Sequence, residues 1–137
     1  MKRMTTKLLF VICIGFALVS CKPDDNKVGY TFFGSIDTWS LPDTITASTQ
    51  FDIAVHSKID NSCIKNFKFY VDKYNETIYQ VYAKARFENR GESCVSVLYD
   101  VDSTFHVTLT QPGKYYYYFL KDDSFVKDSI VIISQTR

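Results

Sequence analysis

From Tyr79 to Glu88 the chain alternates without a break. Tyr79, Val81, Ala83, Ala85 and Phe87 fall on one side, and Gln80, Tyr82, Lys84, Arg86 and Glu88 on the other. A helix would scatter these apolar residues around its circumference. An extended strand sends successive side chains to opposite faces, so a period of two predicts one buried face and one solvated face. The same pattern recurs elsewhere. Phe51, Ile53 and Val55 alternate with Asp52, Ala54 and His56; Phe67, Phe69 and Val71 with Lys68, Tyr70 and Asp72; and Phe105, Val107 and Leu109 with Thr104, His106, Thr108 and Thr110. Lys114 to Leu120 and Phe125 to Ile133 are more continuously apolar or aromatic and predict strands with less polar outer faces.

Turn-forming clusters separate these segments: Asp60-Asn61-Ser62, Lys73-Tyr74-Asn75, Asn89-Arg90-Gly91-Glu92, Gln111-Pro112-Gly113 and Lys121-Asp122-Asp123. No segment sustains an apolar i, i+3, i+4 pattern, so no long helix is expected. Strands with turns every eight to twelve residues predict an all-β fold, an antiparallel sandwich of about seven to eight strands.

The N-terminus follows different rules. Lys2, Arg3 and Lys7 precede an uncharged apolar run from Leu8 to Val19. That run is too short for a bilayer-spanning helix of roughly 20 residues, and its basic flank fits a removable signal. The run closes on Leu18-Val19-Ser20-Cys21. This resembles the lipobox of bacterial lipoproteins, in which a small residue precedes a cysteine and Leu stands three before it. The resemblance implies cleavage after residue 20 and acylation of Cys21. Each buried methylene of an acyl chain contributes about 0.8 kcal/mol to membrane attachment, so several chains hold a protein firmly. The polar stretch after Cys21, with Lys22, Asp24 and Asp25, is similar to the surface-export signal of Bacteroidota lipoproteins. Lys22 stands where inner-membrane retention would place an Asp. The implied address is the cell envelope, at the outer membrane. The expected organisation is a signal peptide at 1–20, a lipidated cysteine and tether at 21–36, and a β-sandwich domain at 37–137.

Loss of the first twenty residues of 137 leaves 117, enough for one domain with a real core. The signal removes three of the 16 basic residues and none of the 15 acidic ones, for a mature charge of −2. Lys and Asp are interspersed, and no basic patch points to nucleic acid. Cys13 leaves with the signal and Cys21 takes the lipid, so Cys63 and Cys94 remain. In an exported protein this pair reads most simply as a disulfide. A redox or metal pair is the alternative, but the spacing is not CxxC and no histidine lies near in sequence.

Leu109-Thr110-Gln111-Pro112-Gly113-Lys114-Tyr115 resembles the tyrosine-corner passage of immunoglobulin-like and fibronectin-like domains. There, a Gly turn precedes a Tyr whose hydroxyl bonds back to the backbone. The resemblance implies an immunoglobulin-like sandwich. It does not extend to the antibody disulfide, because no Cys follows Tyr115 by two positions and Trp39 lies outside the Cys63–Cys94 interval. Cys63 and Cys94 are instead expected to staple the edge of a hairpin.

No GxSxG, phosphate loop, calcium loop or cofactor fingerprint is present, and no catalytic residue, metal ligand or cofactor is assigned. His56 and His106 sit on polar strand faces, where solvated imidazoles are the ordinary expectation. Asp100 with Asp102 and Asp122 with Asp123 are paired carboxylates, and acids of this kind routinely cap turns. The unusual run is Tyr115-Tyr116-Tyr117-Tyr118-Phe119. With Tyr115, Tyr117 and Phe119 inward, Tyr116 and Tyr118 stand outside, where Tyr82 also points. Exposed tyrosines stack on sugar rings or anchor protein partners; alternatively they pair with Tyr82 or Tyr70 and simply cover the sheet. The expected function is a membrane-anchored, non-catalytic binding or accessory module with a glycan or protein ligand. The alternatives are a small envelope enzyme or enzyme inhibitor, and a structural subunit that adds an edge strand, Phe125 to Ile133, to a partner sheet.

Overall fold

The computed structural model describes residues 27–135. The expected signal peptide and Cys21 lie outside them. Nine strands occur among the described residues: β1 Lys27–Gly34, β2 Thr38–Ser40, β3 Thr44–Thr46, β4 Gln50–Asn61, β5 Ile64–Lys73, β6 Ile78–Arg90, β7 Ser96–Thr108, β8 Gly113–Lys121 and β9 Ser124–Ile133. They form two sheets. The smaller sheet has the order β2-β4-β7. In the larger, β6 pairs with β5 along one side; along the other it pairs with β8 through Ile78–Val81 and with β1 through Ala83–Arg90. β9 follows β8, and β3 closes the edge.

The alternation sorts residues between core and solvent as expected. Phe51, Ile53 and Val55 of β4 are buried, as are Val81, Ala83 and Ala85 of β6 and Tyr115, Tyr117 and Phe119 of β8. Trp39 lies flat on Phe119, with ring centroids 4.4 Å apart, and its indole N–H donates to Asp128 Oδ2 at 2.9 Å. One side chain of the smaller sheet is thereby tied to β9 of the larger.

Three expectations are corrected. The sheets are not wholly antiparallel: β6 runs parallel to β8, and β3 parallel to β9. Two parallel neighbours need a crossover between them, and β7 is that crossover, returning in the other sheet. The strand count is nine, against seven to eight. Lastly, residues 27–34 of the expected tether form β1, paired with β6 from Lys27↔Arg90 to Gly34↔Ala83. Tyr30, Phe32 and Phe33 supply the ring-bearing side chains that suit a pleated, half-buried surface. At Gly34 a Cβ would stand 2.5 Å from the Phe67 ring, so β1 can pack there only with a hydrogen in that place.

Cys63 and Cys94 are joined, with Cα atoms 5.4 Å apart. They lie in the β4–β5 and β6–β7 connections, both of which pass from one sheet to the other. The bond therefore closes the open end of the β5–β6 hairpin, as expected of an edge staple, and also clips two inter-sheet crossings at one end of the molecule. At the opposite end the Tyr115 hydroxyl donates to the Gln111 carbonyl at 3.0 Å, after Gly113 at φ 151°. This is the backbone tie expected of a tyrosine corner. Between β8 and β9, Asp122 and Asp123 both have positive φ, the conformation of a two-residue type I′ hairpin turn.

Candidate ligand-binding face

Tyr82, Tyr116 and Tyr118 share the outer face of the larger sheet, opposite the buried Val81, Tyr117 and Phe119. They do not form one cluster. Tyr82 stacks on Tyr70 at 5.6 Å and meets the edge of Phe33 at 5.5 Å. Lys84 Nζ stands 5.3–5.6 Å from the Phe33, Tyr70 and Tyr82 ring centres, a cation over three π-faces. The Tyr82 hydroxyl donates to Asp72. That bond, reinforced by burial and by the negative charge of Asp72, raises the phenol's pKa above its ordinary value. Tyr116 is flanked instead by Lys114 and Lys127, at 5.7 and 5.3 Å from its ring centre. Tyr118 is half-buried between Gln80 and Lys127 on the adjacent strands.

β1 and β8 meet the same side of β6 end to end, and a groove of about 340 Å³ opens near this seam. Phe33, Tyr82, Leu120 and Phe125 give it an apolar lining, with Asp72 and Gln80 as polar groups. Phe33 is 58% exposed and Phe125 47%. Rings with this much free surface, beside a carboxylate and an amide, can stack on an apolar ring face while bonding to its hydroxyls. Of the groove residues sequence reasoning named only Tyr82 for the site; it missed Phe33, Leu120 and Phe125 and the polar pair Asp72 and Gln80. Phe33 lay in the expected tether, and Leu120 and Phe125 belong to strands whose neighbours no local pattern names.

Larger hollows lie elsewhere. One of about 570 Å³ beside the disulfide has a mostly polar lining, and its Glu88 is already held by Arg86 at 2.9 Å and Arg90 at 3.5 Å. Another, of about 580 Å³, is lined by Tyr30, Phe32, Phe87 and Asp60 among others, with Tyr30 stacked on Phe87 at 5.2 Å. Size alone does not choose between them. The hollow beside Tyr30 shares Phe33 and also has polar groups; what sets the outer groove apart is its continuity, through Tyr82, with the stacked array around Lys84.

The outer face of the smaller sheet carries both histidines. His56 lies directly across from Asp102, with Nδ1 2.8 Å from the carboxylate, and its Nε2 is 3.5 Å from Asp100. His106 lies across from Asp52, with Nδ1 2.6 Å away. The Asp100 and Asp102 side chains are 59% and 74% exposed, so these are solvated cross-strand pairs. Among the described residues no group of three or more His, Cys, Asp or Glu side chains is placed to hold a metal ion, and no helix is long and apolar enough to cross a membrane. No family model, curated protein or solved structure matches the chain.

Proposed function

We propose that this chain is a lipid-anchored, non-catalytic module of the cell envelope that binds carbohydrate on the aromatic face of its larger sheet. The observation that carries the reading is the groove of Phe33, Tyr82, Leu120 and Phe125, with Asp72 and Gln80 beside it. A pyranose has an apolar ring face and hydroxyls around its edge. Aromatic rings match the former, and a carboxylate and an amide match the latter. The lipobox-like Leu18-Val19-Ser20-Cys21 supports anchoring through Cys21 at the outer membrane.

The fold in this proposal is an immunoglobulin-like sandwich. The tyrosine corner at Tyr115 and the packing of two sheets support it. The parallel β6–β8 pair is a departure, because it seats the second strand of the β5–β6 hairpin next to β8.

Retention on immobilised polysaccharides by membranes carrying the full chain tests the reading. Tyr82→Ala/Phe125→Ala should lose most retention, and Tyr116→Ala/Tyr118→Ala a smaller share. Tyr30→Ala, in the neighbouring hollow, should keep it, and Cys21→Ser should release the protein from the membrane. Unchanged retention by Tyr82→Ala/Phe125→Ala would dismiss the groove as the binding site.

A further inference from the structure

The two sheets treat their edges differently. β5, at the edge of the larger sheet, carries Lys65, Lys68 and Lys73, and its pairing with β6 slips between Lys65 and Lys68, where Asn66 has φ 54°. Charge and irregularity are the usual protections of an exposed strand edge. β2 and β3 have three residues each. β9, the strand expected to offer an edge, pairs with β3 only over Val131–Ile133; the rest of it carries Lys127, and the Trp39 indole reaches its Asp128. β7 is less protected: its charges are Asp100 and Asp102, and its one register slip against β4, between Ile59 and Asn61, falls near its N-terminal end. It runs for 13 residues without Lys, Arg, Pro or Gly, and its register with β4 is continuous from Tyr99 to Thr108. Among the described residues nothing pairs with its far side.

We propose that β7 pairs with β7 of a second copy, antiparallel about a two-fold axis through Ser103, to join the two smaller sheets into one six-stranded sheet. A two-fold normal to the sheet keeps both cores on the same side, so inner residues must face inner residues and outer must face outer. Centring the pair on Asp102 sets that carboxylate against itself. Shifting one residue further toward the N-terminus sets Asp100 against Asp102. Centring on Ser103 is the longest register in which no two aspartates face each other, and it uses Leu98 to Thr108.

In this register the outer face places Asp100 of one copy opposite His106 of the other, twice by symmetry. Lys58 lies across from Asp100, and Asp52 across from His106, within each chain. Each resulting row reads Lys58, Asp100, His106, Asp52 across four strands, with signs that alternate when the imidazole is protonated. The inner face pairs Tyr99 with Val107 and Val101 with Phe105. These are aromatic with β-branched neighbours, which favour cross-strand pairing.

Cysteine cross-linking in the full chain tests both the contact and the register. Residues that face each other across an antiparallel pair have Cα atoms about 4.5–5.5 Å apart, within the roughly 4.4–6.8 Å that a disulfide accepts. Like residues one position from the axis are displaced by about 7 Å along the strands as well, beyond that reach. Asp102→Cys, Ser103→Cys and Thr104→Cys would each be expressed, and membranes run on non-reducing gels against the parent chain. Ser103→Cys, a near-isosteric change, should give several-fold more dimer than its neighbours. Val101→Cys/Phe105→Cys should also cross-link where neither single variant does. A dimer no stronger than that of the parent, or equal dimer at all three positions, would overturn the pairing. A maximum at residue 102 or 104 would overturn the register.

Discussion

The two sheets share a core and differ on their outer surfaces. The larger presents rings: Phe33, Tyr70 and Tyr82 around Lys84, and Tyr116 between two lysines. The smaller presents Thr38, Ala54, Thr104 and two His–Asp pairs. A sheet needs only one apolar face to fold against its partner, and an antiparallel sheet commonly leaves the other polar. The smaller sheet follows that economy. The larger keeps more apolar surface outside than burial requires, and contiguous exposed apolar surface marks interaction sites. The contrast supports the proposed ligand contact on the larger sheet and, through the β7 edge, the proposed self-association on the smaller.

The strongest way to break the comparison is to uncouple the sheets. Cys63–Cys94 clips both crossings at one end and closes a loop with a sequence separation of 31 residues. On the chain-entropy model its removal costs roughly 3–4 kcal/mol. Cys63→Ser/Cys94→Ser should lower the free energy of denaturant unfolding by about that much. A loss below about 1 kcal/mol would show that the β4–β5 and β6–β7 crossings hold without the covalent tie.

A smaller effect, of opposite sign, sits in the larger sheet's own core. Tyr117 is fully buried, and its hydroxyl has no hydrogen-bond partner among the described residues. Tyr117→Phe removes the unpaired group while keeping the ring that stacks on Tyr79 at 5.0 Å. It should stabilise the fold by about 1 kcal/mol. Burial raises the phenol's pKa above its ordinary 10.0, with Tyr79 and Tyr115 adding to the shift. The folded state therefore keeps this proton where the unfolded chain loses it. The contribution of Tyr117 is intact below pH 10 and declines as pH rises above it. Alkaline unfolding followed by circular dichroism should be displaced to higher pH in Tyr117→Phe; an unchanged profile would show that Tyr117 does not govern it.

How much of this was legible in the sequence follows from what a period of two can report. It tells which residues of one segment share a face, so Phe51, Ile53 and Val55, and Tyr115, Tyr117 and Phe119, could be assigned to the core before any strand was placed. The Tyr115–Gln111 tie was legible for a similar reason, since it spans four residues. Neighbours across a sheet are another matter. The parallel β6–β8 pair depends on β7 leaving for the other sheet, and the Trp39–Asp128 bond joins residues 89 apart. The groove draws Phe33, Tyr82 and Phe125 from β1, β6 and β9. Tyr82 could be named from its alternating strand, but nothing local brings Phe33 or Phe125 to it. β1 was hidden by its position next to a polar leader and by its glycines.

The smallest effect sharpens the comparison most, because it separates rings that merely cover the larger sheet from rings that serve a ligand. Tyr82 contacts Tyr70, Phe33, Lys84 and Asp72, so Tyr82→Ala should cost about 1 kcal/mol of stability. His106→Ala removes one solvated pair from the smaller sheet and should stay within about 0.5 kcal/mol. Both are read from urea midpoints at unchanged slope. If the two costs are equal, the Tyr82 array contributes no more to the fold than a surface ion pair, and its burial of apolar area awaits a partner. If Tyr82→Ala is the costlier, part of any binding loss in that variant reflects a disturbed sheet. Phe125→Ala then becomes the cleaner probe, because that ring is 47% exposed and lies at the groove without belonging to the stacked array.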